Sequence, residues 1–239
     1  MKAFYKVSIV AVLSCLSVFA YGQQFNESDF GKFYIRLGVS LPQGHFKNAF
    51  DPTIPLYENI DQNGGMSAET GFNIEFGKYY FLHEDPIQEM FKVGLDATFF
   101  SFNYLPIAWP VEVGDDNYNL LTFSAKLGPV VSFNVAENLY ADFFVKAAPT
   151  FIASSSDILY TKGEEDGYES ISLFNESSSA FAIRSDIGIN LRYSKGSLTL
   201  SYESGKVKTN SWYYNGEDID YQGKMPMGIF QAKLGFQVF

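Results

Sequence analysis

The chain has 239 residues, of which 18% are aromatic and only 18% are charged, and its formal net charge is −10. This length suits one β-barrel or two small domains, and the abundance of Phe and Tyr favours strands. Cys15 is the only cysteine, which excludes an internal disulfide framework. No apolar run after residue 20 is long enough for a membrane helix, and the chain has no phosphate loop, nucleophile elbow or basic stripe for nucleic acid.

Residues 1–22 have the pattern of a secretory signal peptide. Lys2 and Lys6 precede an apolar stretch over residues 7–20, and residues 20–22 (AYG) form a small-x-small cleavage site. We therefore predict a secretory signal peptide over 1–22. The alternative is a lipoprotein signal, in which Cys15 would become the first residue of the mature chain.

Eight segments alternate apolar residues with polar residues or glycine. They are 32–41, 69–80, 91–102, 121–133, 139–151, 181–193, 198–205 and a last one that begins near residue 229. A period of two places neighbouring residues on opposite faces of a strand. Each segment also has about the 9–11 residues that a tilted membrane strand needs. The predicted fold is all-β: an eight-stranded antiparallel up-and-down transmembrane β-barrel.

The connections between these segments alternate in length. Residues 42–68, 103–120, 153–180 and 206–228 form long connections, whereas 81–90 is shorter and 134–138 and 194–196 are turns. Long loops at one mouth and short turns at the other are typical of outer-membrane barrels. An even number of strands then places both barrel ends on the short-turn side, which is the periplasm. The predicted parts of the chain are therefore the signal peptide over 1–22, a short periplasmic segment over 23–30 and an outer-membrane barrel over 31–239.

The face that carries the glycines and charges is predicted to line the lumen. Tyr34, Phe100, Tyr140 and Phe144 share this face and can fill the volume beside the glycines. The charges nearly balance, so we expect a buried ion-pair network. Its predicted members are Arg36, Glu69, Glu75, Lys92, Asp96, Lys126, Asp142, Lys146, Arg184, Asp186, Arg192, Glu203 and Lys233. The alternative is a soluble lipocalin-like barrel, which would turn its apolar face inward and leave these charges on a solvated surface.

Two stretches carry a resemblance to a known group of proteins. KLGPVVSFN (126–134) enters a tight turn, and QAKLGFQVF (231–239) is an alternating terminal strand. With the eight segments and the signal peptide, they resemble the small eight-stranded outer-membrane barrels of Gram-negative bacteria, the OmpA/OmpX-like group and the porin-family or PorT-like barrels. The resemblance implies that the terminal strand is recognised by the barrel-assembly machinery through Leu234, Phe236 and Phe239. Phe239 departs from the pattern, because it is one residue out of phase with Leu234 and Phe236.

The resemblance implies a non-enzymatic protein with a structural or surface-interaction role in the cell envelope. A small porin for ions or small solutes is the alternative, and an accessory barrel of a secretion or envelope-assembly complex is a second one. The expected partners are outer-membrane lipid, lipopolysaccharide, the assembly machinery and a protein at the extracellular loops; we expect no nucleic acid and a monomer. The first three long loops carry net charges of −2, −3 and −5, which would suit divalent bridges to lipopolysaccharide or a basic partner.

Catalytic and metal sites are not expected. His45 and His83 are predicted at opposite mouths, and His45 with Asp51 only imitates the His-acid pairs of lipid A-modifying barrels. The acidic clusters over 115–116, 164–166 and 217–220 do not match a calcium-binding loop. We therefore predict no catalytic residue, no metal and no cofactor.

Overall fold

The computed structural model describes residues 33–47, 67–82, 90–108, 118–154, 159–160, 169–170, 179–214 and 218–238. The eight long strands are β1 (Phe33–Gln43), β2 (Gly71–Phe81), β3 (Phe91–Ala108), β4 (Tyr118–Ala136), β5 (Leu139–Ser154), β6 (Ser179–Tyr193), β7 (Gly196–Tyr214) and β8 (Asp218–Val238). A 3-10 turn, Gly44–Phe46, follows β1, and three two-residue strands lie at Ser67–Ala68, Leu159–Tyr160 and Glu169–Ser170. Within these ranges no helix is long and apolar enough to cross a membrane. The predictions for residues 1–22 and 23–30 and for Phe239 fall outside the described residues.

The strands close into a barrel. Each long strand pairs antiparallel with its neighbours in the sequence, and β8 pairs with β1 from Phe33 opposite Val238 to Gln43 opposite Gly228. Closure satisfies the backbone groups of both terminal strands and leaves no free edge at this seam. The prediction of an eight-stranded antiparallel barrel is confirmed.

The two ends of the barrel differ in their connections. We call the end with the two-residue turns Glu137–Asn138 and Ser194–Lys195 the turn end, and both described chain termini lie there. Asn138 and Ser194 have φ angles of 60° and 53°, the left-handed conformation that tight hairpin turns require. The opposite end, which we call the loop end, carries the connections over 44–70, 109–117, 155–178 and 215–217.

Four strands run further toward the loop end than the alternation predicts. The ladder between β7 and β8 continues to Tyr214 opposite Asp218, and the ladder between β3 and β4 continues to Ile107 opposite Tyr118. The predicted long loop over 206–228 is therefore wrong, as is most of the one over 103–120. In β7 the outer face beyond the apolar band no longer has to be apolar, as the exposed Lys206 and Lys208 show, so backbone pairing continues where the sequence signal ends.

A β-bulge in β3 changes which residues point inward. Thr98 is opposite Lys126 and Ser101 is opposite Ser124, so Phe99 and Phe100 together face one residue of β4. Both rings are about half exposed on the outer surface. The prediction that Phe100 lies in the lumen is wrong, because a bulge inserts one residue and reverses the alternation beyond it.

Candidate functional site

The outer wall of the barrel is a continuous apolar band. Its exposed side chains come from all eight long strands and include Leu37, Phe76, Phe99, Leu127, Val145, Ile187, Leu200 and Phe236. Leu127 lies midway along β4 and is 55% exposed. A soluble barrel buries such side chains, so this surface needs an apolar surrounding.

The inner wall holds the charged residues. Of the described residues, seven cations and five carboxylates are buried: Arg36, Lys92, Lys126, Lys146, Arg184, Arg192, Lys233, Glu75, Asp96, Asp142, Asp186 and Glu203. Glu69 does not belong with them. It precedes β2, it is exposed, and its backbone N–H donates to the carbonyl of Pro106. Its predicted place in the lumen is corrected, because the alternation of this segment begins at Gly71 and not at Glu69.

Glu75 and Lys126 form the centre of the lumen. The Nζ of Lys126 lies 2.8 Å from Oε1 of Glu75, 3.1 Å from Oδ2 of Asp186 and 3.0 Å from Oε2 of Glu203. The Nζ of Lys233 lies 2.8 Å from the same Oε1 of Glu75. Five charges from strands β2, β4, β6, β7 and β8 therefore meet on the axis, and each ion has a partner of opposite charge.

A second set of contacts extends this cluster toward the turn end. The Nζ of Lys146 lies 2.9 Å from Oδ2 of Asp96, and the hydroxyl of Tyr34 donates to Oδ1 of Asp96 at 2.6 Å. Arg36 stacks over the Tyr34 ring with its Cζ 3.8 Å from the ring centroid, and its Nη2 donates to the hydroxyl of Tyr79. These contacts give the buried charges hydrogen bonds as well as counter-ions, which burial requires.

An arginine layer lies at the turn end of the lumen. Nε of Arg192 lies 2.6 Å from Oδ2 of Asp142, and its Nη2 lies 2.9 Å from Oδ1, so the pair is bidentate. The guanidinium of Arg192 also lies 5.1 Å from the Tyr79 ring centroid and 5.2 Å from that of Tyr140. This layer fills the cross-section between the ionic cluster and the turns.

The loop end of the lumen is apolar, which the alternation did not predict. Next to the ionic cluster lies an uncharged layer, in which Asn103 accepts hydrogen bonds from Gln231 at 2.7 Å and Ser40 at 2.8 Å. Beyond it, buried apolar side chains pack together inside the wall: Phe46, Ala68, Leu105, Ile107, Leu120, Ile152, Ala182, Val207, Met227 and Ile229. We call these ten residues the apolar plug. The signal for it is an inverted alternation, as in Lys206-Val207-Lys208, where the apolar residue stands between two lysines.

Inward aromatic rings lie directly over glycines of the neighbouring strand. Phe144 is opposite Gly188, and a Cβ on Gly188 would lie 2.7 Å from Cζ of Phe144 and 2.5 Å from the carbonyl oxygen of Leu200.

Gly188→Ala should therefore destabilise the barrel by about 1–3 kcal/mol through overpacking. Urea unfolding in detergent micelles, followed by circular dichroism, measures the loss. Adding Phe144→Leu should recover part of it, and an unchanged midpoint for Gly188→Ala would contradict the contact.

These two walls reverse the arrangement of a soluble protein, with exposed aliphatic and aromatic side chains outside and twelve buried charges inside. A lipocalin-like barrel would have the opposite arrangement. The chain is an eight-stranded transmembrane β-barrel. Its apolar band meets the hydrocarbon of a bilayer, and its backbone groups are paired within the closed sheet.

Solved structures of small outer-membrane barrels are similar to this chain. The attachment invasion locus protein Ail of Yersinia pestis is 15% identical, with 87% of this chain and 99% of that chain covered at a TM-score of 0.42. The outer membrane protein OprG of Pseudomonas aeruginosa is 10% identical, with 87% and 96% covered at a TM-score of 0.44. Neisserial surface protein A is 9% identical, with 86% and 97% covered at a TM-score of 0.38. The chain matches no known family model, and it matches no curated protein.

The predicted assembly signal is described in part. Leu234 is opposite Leu37 and Phe236 is opposite Ile35, both at the seam of the barrel. Phe236 is exposed on the outer wall, whereas Phe239 lies outside the described residues.

The other candidate groups are mostly not described. The side chains of His45, His83 and Asp51 and the acidic clusters over 115–116 and 164–166 fall outside the described residues. Among the residues that the structure describes, no group of three His, Cys, Asp or Glu side chains is arranged to hold a metal ion.

Proposed function

We propose that the chain is a non-enzymatic outer-membrane barrel with a closed lumen, which acts through the surface that it raises at the loop end. The observation that carries this proposal is the filling of the lumen by side chains along the barrel axis. The arginine layer, the ionic cluster around Lys126, the uncharged layer around Asn103 and the apolar plug follow one another from the turn end to the loop end.

The filled lumen argues against a pore. Eight strands enclose little more than the volume of their own side chains. A permeating ion would have to displace Lys126 from its three carboxylates and then cross the apolar plug. Apolar constrictions exclude water and ions even where side chains leave some width. The small porin is therefore the weaker alternative.

The surface at the loop end is formed by β7 and β8, which extend beyond the neighbouring strands. β6 pairs with β7 only as far as Ser204, and β1 pairs with β8 only as far as Gly228. The ladder between β7 and β8 continues from Gly205 opposite Met227 to Tyr214 opposite Asp218. At about 3.4 Å per residue, this extension is about 30 Å long. A long hairpin on a rigid barrel suits contact with a partner outside the membrane better than a structural role alone.

The proposal places the loop end outside the cell and both barrel ends in the periplasm. Outer-membrane barrels have short periplasmic turns and longer extracellular connections, and this chain has the same asymmetry. Lipopolysaccharide would then surround the loop end, and the assembly machinery would meet the strand that carries Leu234 and Phe236. A protein partner at the extended hairpins would make the chain a surface-interaction protein.

Conductance in planar lipid bilayers tests the proposal. We expect no steady single-channel steps from the pure, folded protein, because the lumen is filled. A matched preparation of a known open porin shows that insertion would be detected. Steady steps of one size from this chain would contradict the closed lumen and favour the small porin.

Cross-linking in intact cells would separately identify a partner, and one periplasmic partner in fixed stoichiometry would favour the accessory barrel instead.

A further inference from the structure

The lysines outside the lumen are unevenly distributed. The chain has a formal net charge of −10, yet residues 204–214 of β7 and 221–232 of β8 contain three lysines and no Asp or Glu. These are Lys206, Lys208 and Lys224. We call Lys206, Lys208 and Lys47, whose side chains are exposed, the lysine wall. The long connections at this end of the barrel are acidic in sequence, so a cationic stretch beside them needs a reason other than solubility.

The lysine wall continues the face of β7 that meets lipid. Leu200 and Tyr202 are exposed on this face, Lys206 and Lys208 are exposed further along it, and Val207 between them is buried. With about 3.4 Å per residue and a strand tilt of about 40°, Lys206 and Lys208 lie roughly 10 and 15 Å above Tyr202. Both lysines therefore lie beyond the exposed apolar side chains of β7, toward the loop end.

No carboxylate lies opposite the exposed lysines of β7. In the backbone register of the ladder between β7 and β8, Lys208 is opposite Lys224 and Lys206 is opposite Pro226. Neither lysine therefore has an acidic partner directly across this ladder, where cross-strand pairs form. A bound phosphate group would supply the negative charge that the ladder lacks.

The turn after β1 brings a third exposed lysine close to these strands. Phe46 packs in the apolar plug with Met227 and Ile229 of β8. Lys47 follows directly and is exposed. Burial of Phe46 therefore fixes the backbone that carries Lys47 beside β8.

We propose that the lysine wall binds the phosphate groups of anionic lipid in the leaflet at the loop end. This inference rests on the proposed placement of the barrel in the outer membrane, where that lipid is lipopolysaccharide. Lysine ammonium groups are compact point charges on flexible stems, and they bind phosphate without a fixed geometry. The contact is direct, so it does not need the divalent ions that acidic loops would need to hold the same lipid.

Lipid retention by the folded, full chain tests the site. The protein is refolded, loaded with bisphosphorylated lipid A in the presence of EDTA, and its bound lipid is measured by native mass spectrometry. The test variant is Lys206→Gln with Lys208→Gln. The matched control is Lys78→Gln with Lys195→Gln, which removes the same charge at the turn end. Lys206→Arg with Lys208→Arg keeps the charge, and the mobility shift on boiling shows for every sample that the barrel has folded.

The wild type, the control and the arginine variant should retain lipid A, whereas the test variant should bind it about thirtyfold more weakly. That factor corresponds to about 1 kcal/mol for each lysine near an anionic surface. Lipid A without phosphate should not be retained by any of them. Equal retention by the test variant, equal loss in the control, or loss of wild-type retention in EDTA would overturn the site. Failure of the wild type to fold into detergent or lipid would instead contradict the membrane barrel itself.

Discussion

Glu75→Ala is expected to destabilise the barrel by about 3–5 kcal/mol, because it leaves buried cations without their carboxylate. Oε1 of Glu75 lies 2.8 Å from the Nζ atoms of both Lys126 and Lys233. Lys126 keeps Asp186 and Glu203, but Lys233 is left with a hydrogen bond to the side chain of Gln231. Urea unfolding of the refolded protein in lipid vesicles, followed by circular dichroism, measures the change.

Two further variants separate this effect from simple loss of a carboxylate. Glu137→Ala removes an exposed carboxylate from the turn between β4 and β5 and should leave the unfolding midpoint unchanged. Glu75→Met with Lys233→Met also removes the cation that depends on Glu75, and it should lose less stability than Glu75→Ala alone, because Lys126 keeps Asp186 and Glu203. Equal stability of Glu75→Ala and the wild type would show that the central ion pairs are not formed.

Leu127→Arg is expected to cost about 2–4 kcal/mol of folding free energy in a bilayer, because it places a charge near the membrane midplane. Leu127 is 55% exposed at the middle of β4 and is opposite Ala147 of β5. The folded fraction in vesicles, read from the mobility shift on boiling, should fall sharply at intermediate urea concentrations.

Val135→Arg is the matched control for this substitution. Val135 lies on the outer side of the same strand and is 59% exposed, but it is close to the turn end. An arginine near the interface costs only about 0–1 kcal/mol. Equal losses of folding free energy at the two positions would contradict the placement of Leu127 near the membrane midplane.

The parts of the fold that lipid contact dictates are readable from the sequence. Strands that face hydrocarbon outside and charges inside must alternate, so all eight segments and the closure of β8 on β1 follow from the pattern. The same alternation brings Lys126, Lys146 and Lys233 to the lumen face. Which carboxylate each lysine meets is set by strand register and tilt, which one strand's pattern does not contain.

The failures have equally specific causes. Residues 104–107 (YLPI) are apolar on both faces, because the apolar plug is inside and Phe72 stacks on Tyr104 outside. Without contrast between the faces no alternation appears, and the stretch reads as a loop. The alternation predicts Phe100 in the lumen because it continues unbroken into this residue, whereas the backbone inserts a bulge there.

The apolar plug changes the interpretation of the lumen. Charges alone would fit either a closed network or a narrow aqueous path. Phe46, which reaches into the barrel from the turn after β1, packs against residues of β8 and excludes that path at the loop end. Its contribution depends on Gly44, whose φ of +61° gives the turn its direction.

The central claim is that the exposed apolar band faces hydrocarbon, and spin labels on the band test it most directly. Cysteines introduced singly in place of Leu37, Leu127, Val145 and Ile187 sample four strands around the circumference. In lipid vesicles, relaxation of each label should be enhanced by oxygen, which concentrates in hydrocarbon, and not by a water-soluble nickel complex. Labels at all four positions that respond to nickel and not to oxygen would contradict a transmembrane barrel.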